Sequence, residues 1–231
     1  MEHILTDNTA GPAGRFRNSN LAQAWLVLVL ALIFGAILAA VQVNLSPIIA
    51  ANKMNETLEK VPELVWGSAG ARQMAAKPVD TDIIPGTIEI QKNGATSFYS
   101  LFHVVSQGKP AGWVVKTEGQ GYADRIELLI GFNPDTTTIT GLFILGQKET
   151  PGLGANIILP RWRQQFIGKA TGRPLTVVKG GVPESHTIDA ITGATISSRS
   201  VVRMVNRTMD DLAGELTPEA VRFSKQVTIN E

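Results

Sequence analysis

The chain is 231 residues long, 44% hydrophobic and 18% charged, with 21 basic residues against 20 acidic ones and no cysteine. That length accommodates a membrane segment plus one globular domain, or a single large domain. The balanced charge argues against a nucleic-acid binder, and the missing cysteines exclude disulfides, thiolate-held iron–sulfur clusters and cysteine nucleophiles.

Residues 1–20 are polar, end on Arg15 and Arg17, and read as a short tail. Residues 21–43 carry no charge and reach the ~20 residues needed to cross a bilayer core. The run is longer than the core of a cleaved signal peptide, so it reads as a retained transmembrane anchor. Arg15 and Arg17 precede it closely, whereas Lys53 and Lys60 lie farther off and are offset by Glu56 and Glu59. The positive-inside rule then puts the N-terminus in the cytoplasm and everything after Asn44 outside. Ser46-Pro47 reads as an N-cap and first helical position, opening a helix with Ile48, Ile49, Met54, Leu58 and Val61 as its apolar set. Residues 44–85 are thus expected to form a helical connector, irregular from Gly67 to Pro85.

Strand signals follow. Residues 87–91 and 96–105 alternate around Asn93-Gly94, a strong hairpin turn, and residues 112–117, 125–132 and 137–145 continue a meander. Residues 160–166 read as a short helix and 175–179 as one more strand. In the last helix, Val201, Val202, Val205, Met209 and Leu212 recur at helical spacing. Residues 86–231 are therefore expected to be an α+β domain, a twisted antiparallel sheet with packed helices.

Just ahead of that last helix, Asp189-Ala190-Ile191-Thr192-Gly193-Ala194-Thr195-Ile196-Ser197-Ser198 gathers hydroxyls and small residues. A helix start offers unpaired N–H groups and the positive end of the dipole, which suits a phosphate. The plainer reading is an ordinary helix cap on Thr192 or Ser197. Glu149-Thr150-Pro151-Gly152-Leu153-Gly154 reads first as a proline–glycine turn, although its glycines let backbone N–H groups approach a flat or anionic ligand. Gly119-Gln120-Gly121-Tyr122 is a weaker case of the same kind. His3, His103 and His186 show no metal-ligand spacing. His186, Asp189 and Ser197 supply the residue types of a hydrolase without a nucleophile-elbow pattern.

The run from Asp189 to Thr195 resembles the flavinylation motif Asp-x-x-Ser/Thr-Gly-Ala-Thr of the covalent FMN-binding family, and Glu149 to Gly154, with Trp162 and Phe166, resembles its second signature. This family includes the G subunit of the Rnf electron-transport complex and the C subunit of the sodium-translocating NADH:quinone oxidoreductase; the compact length and residues 191–199 are more similar to the former. The resemblance implies one FMN per chain, joined by a phosphoester to Thr195, with Thr192, Gly193 and Ala194 around it. It also implies that Asp189 is needed by a separate flavin transferase using FAD and magnesium. Glu149, Thr150, Gly152, Leu153 and Gly154 become cofactor-binding candidates, and Arg199 or Lys179 possible counter-charges; no catalytic residue or metal ligand is implied. The implied setting is a bacterial cytoplasmic membrane, with the FMN domain outside and other subunits supplying iron–sulfur and flavin carriers. The implied role is an electron relay in a ferredoxin:NAD oxidoreductase coupled to ion translocation. A flavin module for sensing or scaffolding is the alternative.

Overall fold

The computed structural model describes residues 20–76, 80–92, 94–181 and 184–224. His3, Arg15, Arg17 and Asn93 fall outside them. Helix α1, Asn20–Ala76, runs unbroken except at Gly67, where φ is 73° and ψ is 170°. The chain thus resumes its helix after Gly67 instead of turning irregular there. The helix start expected at Ser46-Pro47 is absent. Ser46 Oγ instead donates to the Gln42 carbonyl at 2.6 Å, as a mid-helix serine does, and the apolar runs on either side carry the helix past Pro47. The helix is long and apolar enough to cross a membrane.

The chain divides after Asn52 into two units. Within the first, Trp25, Phe34 and Leu38 are exposed, and no charge falls between Arg17 and Lys53. The second is built on a six-stranded sheet of β1 (Thr81–Lys92), β2 (Ala95–Ser106), β3 (Lys109–Gln120), β4 (Arg125–Phe132), β5 (Ile139–Gly146) and β8 (Arg222–Phe223). Their order is β5-β4-β3-β2-β1-β8, and every pairing is antiparallel. Strand β1 already starts at Thr81, within the stretch expected to be irregular, and passes through Pro85. There the strand lies toward the sheet edge, where a missing N–H is tolerated. Between β5 and the last helix lie a 3₁₀ turn (Gly154–Ile158), the short helix α2 (Pro160–Arg163), a second 3₁₀ turn (Gln164–Phe166) and the parallel pair β6 (Thr176–Val178) and β7 (Thr187–Asp189). The last helix, α3, spans Thr195–Leu212.

Strand alternation gives the sheet two buried faces. On one, Leu101, Val115, Leu128 and Ile130 pack with Val201, Val205, Met209 and Leu212 of α3. On the other, Phe102, Val104, Val114 and Leu129 pack with Leu58, Val61, Leu64 and Val65 of α1. Two glycines admit α1 so closely: a Cβ on Gly131 would fall 2.4 Å from the Leu64 carbonyl oxygen, and one on Gly141 would fall 2.9 Å from it. Thr140 Oγ1 donates to that same oxygen at 2.6 Å. Lys53 and Lys116 both reach the Glu127 carboxylate, at 2.9 and 3.2 Å, fixing where α1 meets the strands.

The sheet is not zipped throughout. β2 and β3 pair from Ser106 opposite Lys109 to Ser100 opposite Lys116 and no farther, although β1 stays paired with β2 to Ala95 and β4 with β3 to Gln120.

Two outcomes follow from this packing. Gly131→Ala should lower unfolding free energy by about 1–3 kcal/mol in urea titrations, because the carbonyl it meets is backbone and cannot step aside as a side chain would. His103, 7% exposed, stacks on Trp113 at 4.1 Å, and its Nε2 has no partner. Burial lowers its pKa below the usual 6.5, so the unfolded chain takes up a proton that the folded chain resists. Stability should therefore hold above about pH 6.5 and decline below it, and His103→Phe should flatten that decline in pH-dependent melting curves.

Candidate functional site

Three segments far apart in sequence meet around one carboxylate. Glu149 is 3% exposed. Its Oε1 accepts the backbone N–H groups of Tyr122 and Ala123, each at 3.0 Å, and its Oε2 accepts the Ser197 hydroxyl at 2.5 Å. A polar group this deep is tolerated only when its oxygens are hydrogen-bonded. Glycines make the approach possible. A Cβ on Gly121 would lie 2.4 Å from Glu149 Oε1, and one on Gly154 would lie 2.6 Å from Ser197 Oγ. The turn after β3, the segment after β5 and the start of α3 are thereby drawn together.

Thr150 to Gly154 form the expected turn, with the Leu153 N–H on the Thr150 carbonyl at 3.1 Å and Gly152 at φ 75°. The turn also carries Leu153 to the flavinylation-like segment, where its Cδ2 would lie 2.9 Å from a Cβ on Gly193. The turn reading and the ligand reading thus describe one geometry: the bend presents an exposed leucine beside Gly193.

The other end of the motif is held by its main chain. Asp189 closes β7; its N–H donates to Gln165 Oε1 at 2.7 Å and its carbonyl accepts Trp162 Nε1 at 2.9 Å. Trp162 and Phe166 are buried and meet edge to face at 5.3 Å, so they brace the motif from beneath. The Asp189 carboxylate accepts the Gly180 N–H at 2.8 Å. Beyond it the chain bends through Thr192 and Gly193, at φ 79°, with the Ala194 N–H on the Ile191 carbonyl at 2.9 Å. Ser198 Oγ clasps the bend, accepting the Ile191 N–H at 3.1 Å and donating to the Ala194 carbonyl at 3.0 Å.

The residue before α3 is Ala194, and no side chain caps the helix. Thr192 and Ser197 are therefore not the caps that the plainer reading required. Ser197 is buried on Glu149, which removes it as a hydrolytic nucleophile. Thr195, half-buried, is the first helical residue, and among the described residues neither its hydroxyl nor the N–H groups of Thr195, Ile196 and Ser197 have a partner. Such a helix start suits an anion. Around it Tyr122, Leu153 and Ile196 are exposed, so an uncapped helix end and apolar side chains fit the two halves of a flavin nucleotide, phosphate and ring. Arg199, one turn along, and Lys179 are exposed and form no ion pair among the described residues. His186 lies in the segment before β7, where its carbonyl accepts the Thr176 N–H at 2.9 Å, a bond that serves the β6–β7 pair rather than the site. Tyr122, Ser197 and Ser198 lie in stretches that the sequence singles out, but their bonds around Glu149 and the Ile191–Ala194 bend do not show there. Gly121 and Gly154 mark where Glu149 and Ser197 need room.

The FMN-binding domain family matches residues 121–210, the stretch that contains all three converging segments. The G subunit of the Na(+)-translocating ferredoxin:NAD(+) oxidoreductase complex of Acetobacterium woodii is 45% identical over 103 residues, 44% of this chain and 49% of that protein. The G subunit of the ion-translocating oxidoreductase complex of Methanosarcina acetivorans is 31% identical over 144 residues, 62% of this chain and 73% of that protein. The match thus spans about half the length of the first relative and nearly three quarters of the second. The crystal structure of Shewanella oneidensis NqrC superposes with a TM-score of 0.55 at 25% identity, covering 69% of this chain and 93% of that one. With its FMN-binding domain assembled around Glu149 and the head of α3, the chain belongs to the family of G subunits of ion-translocating oxidoreductase complexes.

Proposed function

We propose that the chain is a membrane-anchored electron carrier of such a complex, holding one FMN through a phosphoester to Thr195. The observation that carries the reading is Thr195 itself: at an uncapped helix start, its hydroxyl and the backbone N–H groups beside it have no partner among the described residues. Bound FMN would supply one- or two-electron transfer. The chain's own residues supply its place. The first-turn N–H groups of α3 receive the phosphate, Arg199 adds positive charge, and Leu153, Tyr122 and Ile196 offer apolar surface to the ring.

A threonine hydroxyl is a weak nucleophile unaided, and no base stands beside Thr195 among the described residues. A separate transferase would activate it, with the threonine oxygen attacking the FMN phosphorus of FAD, AMP departing and the hydroxyl proton passing to the transferase. Thr192, Gly193 and Ala194 leave that approach uncrowded, and Asp189, just ahead of the bend, is the residue the transferase would recognise. Glu149 does not face the ligand in this scheme. Both its oxygens are spent on holding the head of α3 against the turn after β3, so it positions Thr195. Thr150, Gly152 and Gly154 likewise shape the turn that delivers Leu153. The apolar run of α1 would cross the membrane once, and the basic Arg15 and Arg17 ahead of it favour a cytoplasmic N-terminus and an FMN domain outside. Supporting the wider role, the relatives are named as subunits of ion-translocating oxidoreductases. Lacking cysteine, this chain would rely on its partner subunits for iron–sulfur centres.

The test is in-gel fluorescence of denatured protein made with its transferase. Wild type should keep a fluorescent flavin band, Thr195→Ala should lose it, and Asp189→Ala should load poorly while melting like wild type. A wild-type band that loses its flavin on denaturation would overturn the covalent linkage.

Removing the Glu149 carboxylate leaves the buried Ser197 hydroxyl and two part-buried backbone N–H groups without their acceptor, the buried one costing about 1–3 kcal/mol before relaxation. Glu149→Ala should therefore lower the melting temperature and cut flavin loading although Thr195 is intact, and Glu149→Gln, which keeps one acceptor oxygen, should do less of both.

A further inference from the structure

Where β2 and β3 part, the sheet holds a cavity of about 540 Å³. One wall is the edge of β2 from Ala95 to Tyr99, paired among the described residues only with β1; the other is the edge of β3 from Thr117 to Gln120, paired among them only with β4. Each wall is tethered separately to α3. Ser97 Oγ accepts Arg207 Nη2 at 3.0 Å and the Tyr99 hydroxyl donates to Asp211 Oδ2 at 2.5 Å. On the β3 side, Gly119 lets Met204 in so closely that a Cβ there would lie 2.8 Å from its sulfur. These tethers hold the two edges to different turns of one helix, which keeps the gap from zipping shut.

Unpaired strand edges facing each other are a template for an added strand. Five residues of β2 edge span about 17 Å at the usual strand rise, an ordinary strand length. The lining carries Lys116, Arg203, Arg207 and Glu118; Glu118 is bound by Arg125 at 2.7 Å, Lys116 by Glu127 at 3.2 Å and Arg207 by Asp211 at 3.6 Å, which leaves Arg203 as the available cation. Arg203 has no partner among the described residues, and Arg199 continues its stripe along α3. On the opposite face of β2, Phe98 is 70% exposed.

We propose that this gap is a docking slot for an extended acidic segment of a partner protein, which enters as a strand between β2 and β3. Because the two walls are antiparallel, the segment runs parallel to one and antiparallel to the other. Alternate side chains then face opposite sides of the sheet. Carboxylates on one side meet Arg203, and apolar side chains on the other meet Phe98. This slot does not depend on the flavin reading, since none of its walls includes Thr195 or Glu149.

The test uses the full chain in nanodiscs and a fluorescein-labelled seven-residue peptide of alternating Glu and Val. Its controls are a Lys and Val counterpart and a Glu and Val peptide N-methylated on alternate amides. Saturable binding of the acidic peptide is expected, weakened about ten-fold or more by reversed charge, by N-methylation or by Arg203→Glu, with the Arg203→Glu protein melting as wild type does. Hydrogen exchange should slow at residues 96–99 and 117–120. The proposal is overturned by absence of saturable binding, by equal binding of the N-methylated peptide, or by binding that Arg203→Glu leaves unchanged. It is equally overturned if protection appears only along the outer edge of β1, or if salt abolishes binding that never protected any amide, which would mark a simple anion site.

Discussion

A carboxyl group buried away from water is costly unless its oxygens are hydrogen-bonded, and Glu149 meets that condition with donors from two other parts of the chain. Its three bonds cost the protein freedom at three places at once. Residue 121 and residue 154 must be glycine, because a methyl group at either would occupy the space of the carboxylate or of its serine donor. Residue 197 must offer a hydroxyl on the inner side of α3. The result is a rigid junction under a helix end that lacks a cap. Thr195 owes its fixed position to contacts it does not itself make.

The same economy appears at the opposite face of the sheet. Gly131, Gly141 and Thr140 converge on the carbonyl of Leu64, and the lysines around Glu127 fix the contact laterally. Exposed ion pairs of that sort add little stability; the apolar contacts of Val61, Leu64 and Val65 supply it, and the charges select one seating among several. Close approach at glycines sets where the helices sit on the strands, and the apolar side chains between them hold them there.

What was legible in the sequence was periodic or local. The uncharged run of α1, the alternation of β1 and β2, the apolar stripe of α3 and the Asp189–Thr195 motif each declare themselves within a few neighbouring residues. The short strand β7, only Thr187–Asp189, is too brief to show a period, and β8 is briefer still. Ser46-Pro47 misled because capping residues and mid-helix residues share the same letters, and only the apolar context decides between them. The bond from Ser197 to Glu149 joins positions 48 apart, so no local pattern announces it. The turn at Gly121-Tyr122 looked ordinary for the same reason: its partner lies beyond the next strand. The parting of β2 from β3 was equally hidden, since each strand keeps a regular pattern on the side where it is paired.

The packing of Leu58 to Val65 on the sheet also sets where the folded domain begins. The natural place to cut, judged by secondary structure, is the gap between α1 and β1. A fragment starting at Thr81 would nevertheless bare Ile83, Phe102, Val104, Val114 and Leu129, an apolar face that water tolerates poorly. A fragment starting at Lys53 keeps that face covered and retains the lysine that binds Glu127. The border between anchor and domain therefore lies inside a continuous helix, so one secondary-structure element serves two solvents: its first stretch suits lipid, and its second completes a water-soluble core.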